Sequence, residues 1–518
     1  MNTANFLTIP TTIIPELEIM VFGDCRRTYQ DALTRVQRLA SALAALGIAK
    51  GDRVAVLDTN SSQYIEAYFA TSMLGAAFVP LNYRAKADEL ESMVNTAGAR
   101  VLMVGDRYVP LVAGIRDRLL GVSQYVALES PQPAMVSFEE LIAQGTADAS
   151  EAAVDEEDVN ILMYTSGTTG RPKGVMLTYG DFVAYVCGNT ELADGTPRGA
   201  ALLCVPLYHI AGVTTMMTSF FTGRTLVLLR QFDATEWLAT VQRERITHAF
   251  LVPTMLKRVL DHPDFGRYDC SSLDVLAYGA APMPLPVIRR AIEMFPATVG
   301  FVNAFGQTET TATVTMLLPE DHRLEGAPQE IERKLRRLSS IGRPLPDVEI
   351  KIVDAEGAAV PRGEIGEVAV RTARMMKGYF SQGDATAQTI VNGWLHTRDM
   401  GWMDEDGYLY VAGRKDDVII RGGENISPAE VEAALHTHPE IEEAAVIGMP
   451  DVEWGERVMA ILVRKPGSLL SADEIMAWCQ PRLASFKKPE LVHFVSELPR
   501  NPLGKVLRKD LRQQFVRE

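Results

Sequence analysis

Between residues 160 and 306 the sequence repeats one texture: short apolar runs (NILMY, ALLCVPLY, TLVLL, HAFLVP, LDVLAYG and FVNAFG), most of them separated by stretches long enough for a helix. A strand that returns parallel to its neighbour needs a long crossover, usually helical, and strands covered on both faces read as continuous apolar runs. The pattern therefore predicts a mostly parallel, helix-covered sheet in an α/β body. Upstream, residues 29–46 carry Ala, Leu and Val at helical spacing, Gly51-Asp52 turns the chain, and VAVL at 54–57 reads as a strand. The first 150 residues share the α/β texture.

From about 348 to 420 the texture changes to short β-rich runs (VEIKIVD, GEVAVRT, GYLYVAG, DVII) with Gly, Asp and Asn turns, as in a smaller barrel or meander. A composition break near Arg414 predicts a large N-terminal unit, 1–413, and a small C-terminal one, 414–518. Within the latter, SPAE at 427–430 reads as a capping box, with Ser427 at N-cap, Pro428 at the first helical position and Glu430 reaching back. AAVIGM, VMAILV, a helix over 473–483 and LVHFV complete a compact α+β unit.

With 518 residues, 47% hydrophobic and 23% charged, the chain has the balance of a folded protein with large cores, which excludes overall disorder and a single small binding module. A net charge of -15 excludes bulk attraction to nucleic acid or an anionic membrane, so an anionic ligand must be held by local groups. Five scattered cysteines (Cys25, Cys187, Cys204, Cys270, Cys479) form no CxxC pair, which argues against a disulfide framework or a zinc knuckle. The first twenty residues lack the order of a signal peptide, and the apolar stretch 213–229 is broken by Gly223 and Arg224, so no transmembrane segment is expected and the cytoplasm is the expected compartment. Self-association into a homo-oligomer is left open by these features.

The sharpest local signal is YTSGTTGRPKG at 164–174, which follows an apolar strand. Glycines let backbone N–H groups approach phosphate oxygens, hydroxyls donate or reach a metal, and Lys173 adds a point charge. The Walker spacing GxxxxGK[ST] is absent. A plain surface loop is the bland alternative. TSGTTGRPKG together with GDRVAV, GAAFVPLNYR, FGQTE, GRKDDVIIRGGENISPAEVE and PRNPLGKVLRK, in that family's order and over most of the chain, resembles the adenylate-forming family of acyl-CoA synthetases, luciferases and peptide-synthetase adenylation domains.

The resemblance implies ATP- and magnesium-dependent activation of a carboxylate to an acyl-adenylate with release of pyrophosphate, then transfer to a thiol, here CoA. It also implies a large N-terminal body that includes the β-rich stretch and a small mobile C-terminal domain. By similarity, Thr165, Ser166, Gly167, Thr168, Thr169 and Gly170 with Lys173 hold the β- and γ-phosphates, Thr308 touches the α-phosphate, and Glu309 with Thr165 holds magnesium. Lys505, in PRNPLGK, matches the catalytic lysine; on sequence alone it is one of several cations in a basic tail. Gly279, Ala280 and Ala281, with Asn303, Ala304, Phe305, Gly306 and Gln307, match the adenine pocket. There Asn303 would bond the base and Phe305 stack on it, although an aromatic after a buried strand is more often core. Asp399, assisted by Arg414, matches the ribose acceptor, but the family's usual Thr-Gly-Asp reads Thr397-Arg398-Asp399 here. Asp416 matches a hinge, Gly422 and Gly423 would line the thiol tunnel after rotation, and the lysines of FKKP at 486–489 would meet CoA phosphates or simply be solvated.

The segment PLYHIAG at 206–212 resembles the family's stretch beside the acyl pocket, where His209 would gate the tunnel; a lone histidine is usually structural. No Asp stands near Tyr208-His209 to pair a substrate ammonium, so an α-amino acid is not expected. Tyr208, Val213 and Tyr278, with Met216, Met217, Phe220 and Phe305, suggest an apolar pocket for a fatty or aromatic acid, against the reading of such a stripe as core. The competing readings are an acyl-AMP ligase loading a carrier protein, a luciferase-like oxygenase and a non-catalytic nucleotide-binding homologue. Purified thiols, light or oxygen uptake, and loss of turnover on changing Lys505 separate them.

Overall fold

The structure is a computed structural model and describes residues 1–165, 172–422, 424–500 and 504–515. The apolar runs do form strands, but they feed two large sheets rather than one. In the first, the strands Gly300–Gln307, Val275–Gly279, His248–Leu251, Ala200–Leu203, Thr225–Leu228 and Glu18–Phe22 lie side by side and parallel. Antiparallel strands flank them: Ala312–Leu317 and Arg343–Pro344 on one side, Cys25–Thr28 on the other. The run at 160–164 belongs to the second sheet, as the strand Val159–Thr165. It pairs parallel with Ala77–Pro80, followed by Arg53–Leu57, Val101–Val104, Gln124–Ala127 and Val136–Ser137. Which sheet a buried strand joins depends on its lateral partners, which its own residues do not encode.

Helices fill the space between the sheets. Tyr29–Ala45 starts at Thr28, whose hydroxyl accepts from the Asp31 N–H (3.1 Å) while the Asp31 carboxylate accepts from the Thr28 N–H (3.3 Å). Its apolar stripe, with Tyr68 and Phe69 of the helix Ser62–Met73 and Met216, Met217 and Phe220 of Ile210–Thr222, shares one core with Val54, Met103, Leu203 and Leu226 of the two sheets. Burying each such side chain contributes roughly 1.5–3 kcal/mol.

The β-rich part is an antiparallel sheet of Val348–Val353, Gly366–Thr372, Trp394–Met403, Leu409–Arg414 and Ile390–Val391. DVII is not part of it: Ile419–Arg421 pairs within the last sheet instead. The strand Trp394–Met403 escapes an apolar-run reading because it alternates, burying Leu395, Thr397, Asp399 and Gly401 on one side.

The C-terminal unit packs the helices Pro428–His436, Ala472–Cys479 and Arg508–Phe515 on a sheet built around Ile441–Asp451 and Gly455–Arg464. Ser427 caps the first of these helices by accepting from the Glu430 N–H (3.3 Å), but Glu430 does not reach back; its carboxylate accepts from Lys487 Nζ at 2.7 and 2.8 Å. The helix expected to run to 483 stops at Cys479, because Pro481 has no N–H with which to extend the ladder. All five cysteines are free, and among the described residues no helix is long and apolar enough to cross a membrane.

Candidate active site

In open parallel sheets ligands bind beyond the carboxyl ends of the strands, and there the candidate residues gather. The strand Gly300–Gln307 carries Asn303, Ala304, Phe305, Gly306 and Gln307 and runs into the turn Thr308–Thr310. Val275–Gly279 ends beside it, with Gly279 opposite Ala304 and with Ala280 in the left-handed region (φ +65°) before Ala281. Val159–Thr165 and Lys173–Thr178 pair antiparallel, with Thr165 opposite Lys173. Ser166, Gly167, Thr168, Thr169 and Gly170 lie outside the described residues, as does Gly423.

Next to the hairpin, Gly378–Tyr379 adds as an antiparallel edge strand and puts Tyr379 between two candidates. Lys173 Nζ lies 4.7 Å from the Tyr379 ring centroid, and the Tyr379 hydroxyl donates to Glu309 Oε1 at 3.0 Å. Burial, with the Glu309 charge, raises the phenol pKa, so this hydroxyl stays a donor. Nothing local in the sequence joins Tyr379 to Glu309, and the reading above missed it.

A second missed residue is Arg374, which is 0% exposed. Immediately after Thr308–Thr310, Thr311 and Ala312 both adopt positive φ (+48° and +76°). The Arg374 guanidinium donates to the carbonyls of Thr310 (3.0 Å), Thr311 (3.4 Å) and Thr313 (2.8 Å), pairs with Asp347 (2.7 Å) and lies 5.1 Å from the Tyr185 ring centroid. A planar fork with five donors suits a cluster of carbonyls that the strained turn leaves off the ladder.

The polar corner lies on the alternating strand. Asp399 is buried, which raises its pKa, while Arg414, Lys505 and Gln307 draw it back down. Arg414 Nε stands 2.9 Å from Asp399 Oδ1, and Gln307 Nε2 donates to Oδ2 at 2.7 Å. Arg398 occupies the left-handed region (φ +62°) that glycine adopts freely, and it pairs with Asp416. Asn303 is buried and gives one N–H to the Ser340 carbonyl (3.3 Å). Phe305 is half-buried against Val314, Val348 and Val368.

Lys505 arrives from the C-terminal unit. Desolvation, with the neighbouring Arg414, lowers its pKa to about 8 against the opposing pull of Asp399 and Asp417. Gly504 before it has φ +75°, and a Cβ there would stand 2.4 Å from the Thr254 hydroxyl of the helix Pro253–Leu260, so the segment rests directly on the body. Gly422 has φ +58° and lies under the Trp454 indole, where a Cβ would meet the ring at 3.0 Å.

The acyl-pocket candidates divide. His209 sits at the N-cap of Ile210–Thr222 and its ring lies 4.1 Å from that of Tyr208. Burial and Arg84 lower the His209 pKa to about 3, so the imidazole is neutral, and among the described residues neither its Nε2 nor the Tyr208 hydroxyl has a partner. Val213, Met216, Met217 and Phe220 belong to the shared core. Tyr278 is a correction: strand alternation turns it into the other core, where its hydroxyl meets His322 Nε2 at 2.9 Å.

Residues 14–380 match the family described as AMP-binding enzyme, and residues 430–505 match the AMP-binding enzyme C-terminal domain. A feruloyl-CoA synthase of an Amycolatopsis species is 37% identical over 512 residues, covering 97% of this chain and 96% of that protein. A fatty acid–[acyl-carrier-protein] ligase of Streptomyces coeruleorubidus is 34% identical over 94% of this chain and 91% of its own. Among solved structures, an anthranilate CoA ligase in complex with anthranoyl-AMP superposes with a TM-score of 0.89 at 28% identity, covering 99% of this chain and 97% of that one.

Proposed function

Because the chain belongs to the AMP-binding enzyme family, we propose that it is an acyl-CoA ligase that joins a hydrophobic carboxylic acid to ATP as an acyl-adenylate and then transfers the acyl group to CoA, releasing AMP. The observation that carries the residue assignment is the meeting of Lys505, from the C-terminal unit, with the Asp399–Arg414 corner of the body. Attack of a carboxylate oxygen on the α-phosphorus brings two anions together and expels pyrophosphate, so the chain's task is to position them and offset negative charge. Lys505 bridges the carboxylate and phosphate oxygens. Thr308 donates to the α-phosphate, and Lys173, with the 165–170 loop, holds the outer phosphates. Asp399 accepts from the ribose hydroxyls, with Arg414 and Gln307 keeping its carboxylate in place. The adenine lies along Gly279–Ala281 and Asn303–Gln307.

Glu309 is a hard oxygen donor whose orientation the Tyr379 hydroxyl fixes, which fits a magnesium ion held by one carboxylate, the Thr165 hydroxyl and substrate phosphates. The bound ion supplies neutralisation of phosphate charge. The acyl group enters beside Tyr208 and His209, where a neutral imidazole offers a wall and a gate rather than a charge. A fatty or an aryl acid suits that surface, in line with the ferulate and fatty-acid relatives. Rotation about Asp416, the hinge between the 1–413 and 414–518 units, would bring Gly422 and Gly423 to the thiol path, and the enzyme works in the cytoplasm.

The test measures AMP and acyl-thioester from ATP, magnesium, CoA and a panel of short, medium, long and aromatic acids. Acid-dependent AMP with thioester is expected. In the Lys505→Ala variant, acid-dependent pyrophosphate exchange should fall by two orders of magnitude or more, roughly the scale of removing one transition-state charge donor. Transfer from a supplied acyl-adenylate should persist. Unchanged exchange would remove Lys505 from the reaction. A second reading, transfer to a carrier protein, is favoured by the Streptomyces relative and would appear as thioester on a holo-carrier but not on CoA.

A further inference from the structure

Where the chain leaves the body, three consecutive residues each form an ion pair back to it. Arg414 Nε meets Asp399 Oδ1 at 2.9 Å, Lys415 Nζ meets Glu367 Oε2 at 2.9 Å, and Asp416 Oδ1 meets Arg398 Nη2 at 2.6 Å. The third pair reverses the polarity of the first two and is the most exposed, at 50% and 45% for its two side chains. It is also built on a strained residue: Arg398 has φ +62°, and its N–H donates to Glu367 Oε1 at 3.1 Å, so the carboxylate that holds Lys415 also fixes the Arg398 backbone. Glycine would serve that backbone better, and what arginine adds there is the guanidinium.

Asp417 faces the other way. It lies 3.4 Å from both Arg508 and Arg512, and Arg508 also holds Glu432 at 2.8 Å. Arg508 is three residues beyond Lys505. Neighbouring carboxylates on one short turn, Lys415–Asp417, thus tie the nucleotide corner on one side and the Lys505 segment on the other.

We propose that Arg398, through its ion pair with Asp416, is a positioning residue for adenylation: it fixes the C-terminal segment that carries Lys505 relative to the Asp399 corner. This inference rests on the ligase reading above. In this role Arg398 works through Asp416, so its contribution is that of a half-exposed pair, open to screening by salt.

The experiment compares wild type, Arg398→Gly, Arg398→Lys, Asp416→Asn and the double variant Arg398→Gly/Asp416→Asn. Acid-dependent ATP–pyrophosphate exchange without CoA is measured alongside thioester formation from supplied acyl-adenylate and thermal midpoints. Arg398→Gly should slow exchange about two- to fivefold, the span of an exposed ion pair, leave thioester formation from the adenylate unchanged, and melt no lower than wild type because it relieves the left-handed residue. Activity and stability then move independently. Arg398→Lys should fall between the two, the double variant should be no slower than Arg398→Gly, and high salt should bring wild-type exchange to the variant's rate. Equal exchange in wild type and Arg398→Gly, equal slowing of both half-reactions, or simple multiplication of the two single effects would each overturn the positioning role. No acid-dependent exchange by wild type with any acid of the panel would overturn the ligase reading and the positioning role with it, a result distinct from those three.

Discussion

A guanidinium removed from water is costly unless its donors are all used, and Arg374 meets that condition with three main-chain carbonyls, Asp347 and the face of Tyr185. Arg374→Met keeps the bulk but strands those carbonyls beside two left-handed residues. Denaturant unfolding should show a loss of about 3 kcal/mol. Asp347→Asn should cost less than Arg374→Met, since the amide oxygen still accepts from the guanidinium and the carboxylate it replaces is 40% exposed. A smaller loss in Arg374→Met than in Asp347→Asn would contradict the clamp. Lys505 carries a different prediction, for rate against pH. Its pKa is lowered to about 8, so it is charged below that value and loses its proton as pH rises through it. Acid-dependent kcat/KM for exchange should therefore decline on the alkaline side with a midpoint near 8, and Lys505→Arg should abolish that limb within the measurable range because guanidinium does not titrate there. The same shift has a stability consequence of opposite sense: burying the ammonium costs the folded state below about pH 8, and the cost fades as pH rises from there toward the unfolded lysine value of 10.5. Lys505, Glu309 and Asp399 were legible as candidates because each sits in a dense local motif. Arg374, Tyr379 and Glu367 were not, because the carbonyl partners of Arg374 lie 61–64 residues away, Glu309 lies 70 from Tyr379 and Lys415 lies 48 from Glu367, and only the assembled sheets bring them together.

Elements were read well where a local rule suffices and poorly where pairing decides. The runs at 225–229, 248–253 and 273–279 became parallel strands because apolar side chains on both faces need cover, a requirement written in the residues themselves. The assignment of the 160–164 run to a second sheet was not legible, since its hairpin with Lys173–Thr178 and its single parallel register with Ala77–Pro80 depend on distant chain. Trp394–Met403 illustrates a functional cost of the same limit. Its inward row holds Thr397 and Asp399 among Leu395 and Gly401, so the period-2 signal is diluted by the polar groups that the site requires. The helix Ile210–Thr222 shows the converse: its Met and Phe stripe packs in the core, leaving His209 at its N-terminal end as the candidate for the proposed acyl path. Glu430 shows how capping rules are overridden when a lysine of the neighbouring turn, Lys487, offers the carboxylate a full charge in place of a backbone N–H.

At the scale of the whole molecule, the proposed chemistry depends on how the C-terminal unit docks, and one of the docking contacts is on the helix Pro253–Leu260. Lys257 Nζ reaches Glu442 of the strand Ile441–Asp451 at 2.6 Å, and one turn earlier Thr254 abuts Gly504. A Cβ at 504 would stand 2.4 Å from Thr254 Oγ1 and 3.0 Å from its Cγ2, on a backbone with φ +75°, so any side chain there is resisted both by conformation and by contact. Gly504→Ala should then disfavour the docked arrangement by about tenfold or more, since the left-handed conformation alone costs an alanine roughly 1–2 kcal/mol. The loss should fall on the half-reaction that uses Lys505, read as acid-dependent pyrophosphate exchange, and spare thioester formation from supplied acyl-adenylate. Thr254→Ala removes both nearest atoms and leaves the backbone strain, so adding it to Gly504→Ala should restore part of the exchange rate. Lys257→Ala, which opens a partly exposed pair, should cost only a few-fold. If Gly504→Ala slowed both half-reactions alike, or if Thr254→Ala gave no rescue, the contact with Pro253–Leu260 would be packing without consequence for the reaction, and Lys505 would have to reach the nucleotide from a differently seated C-terminal unit.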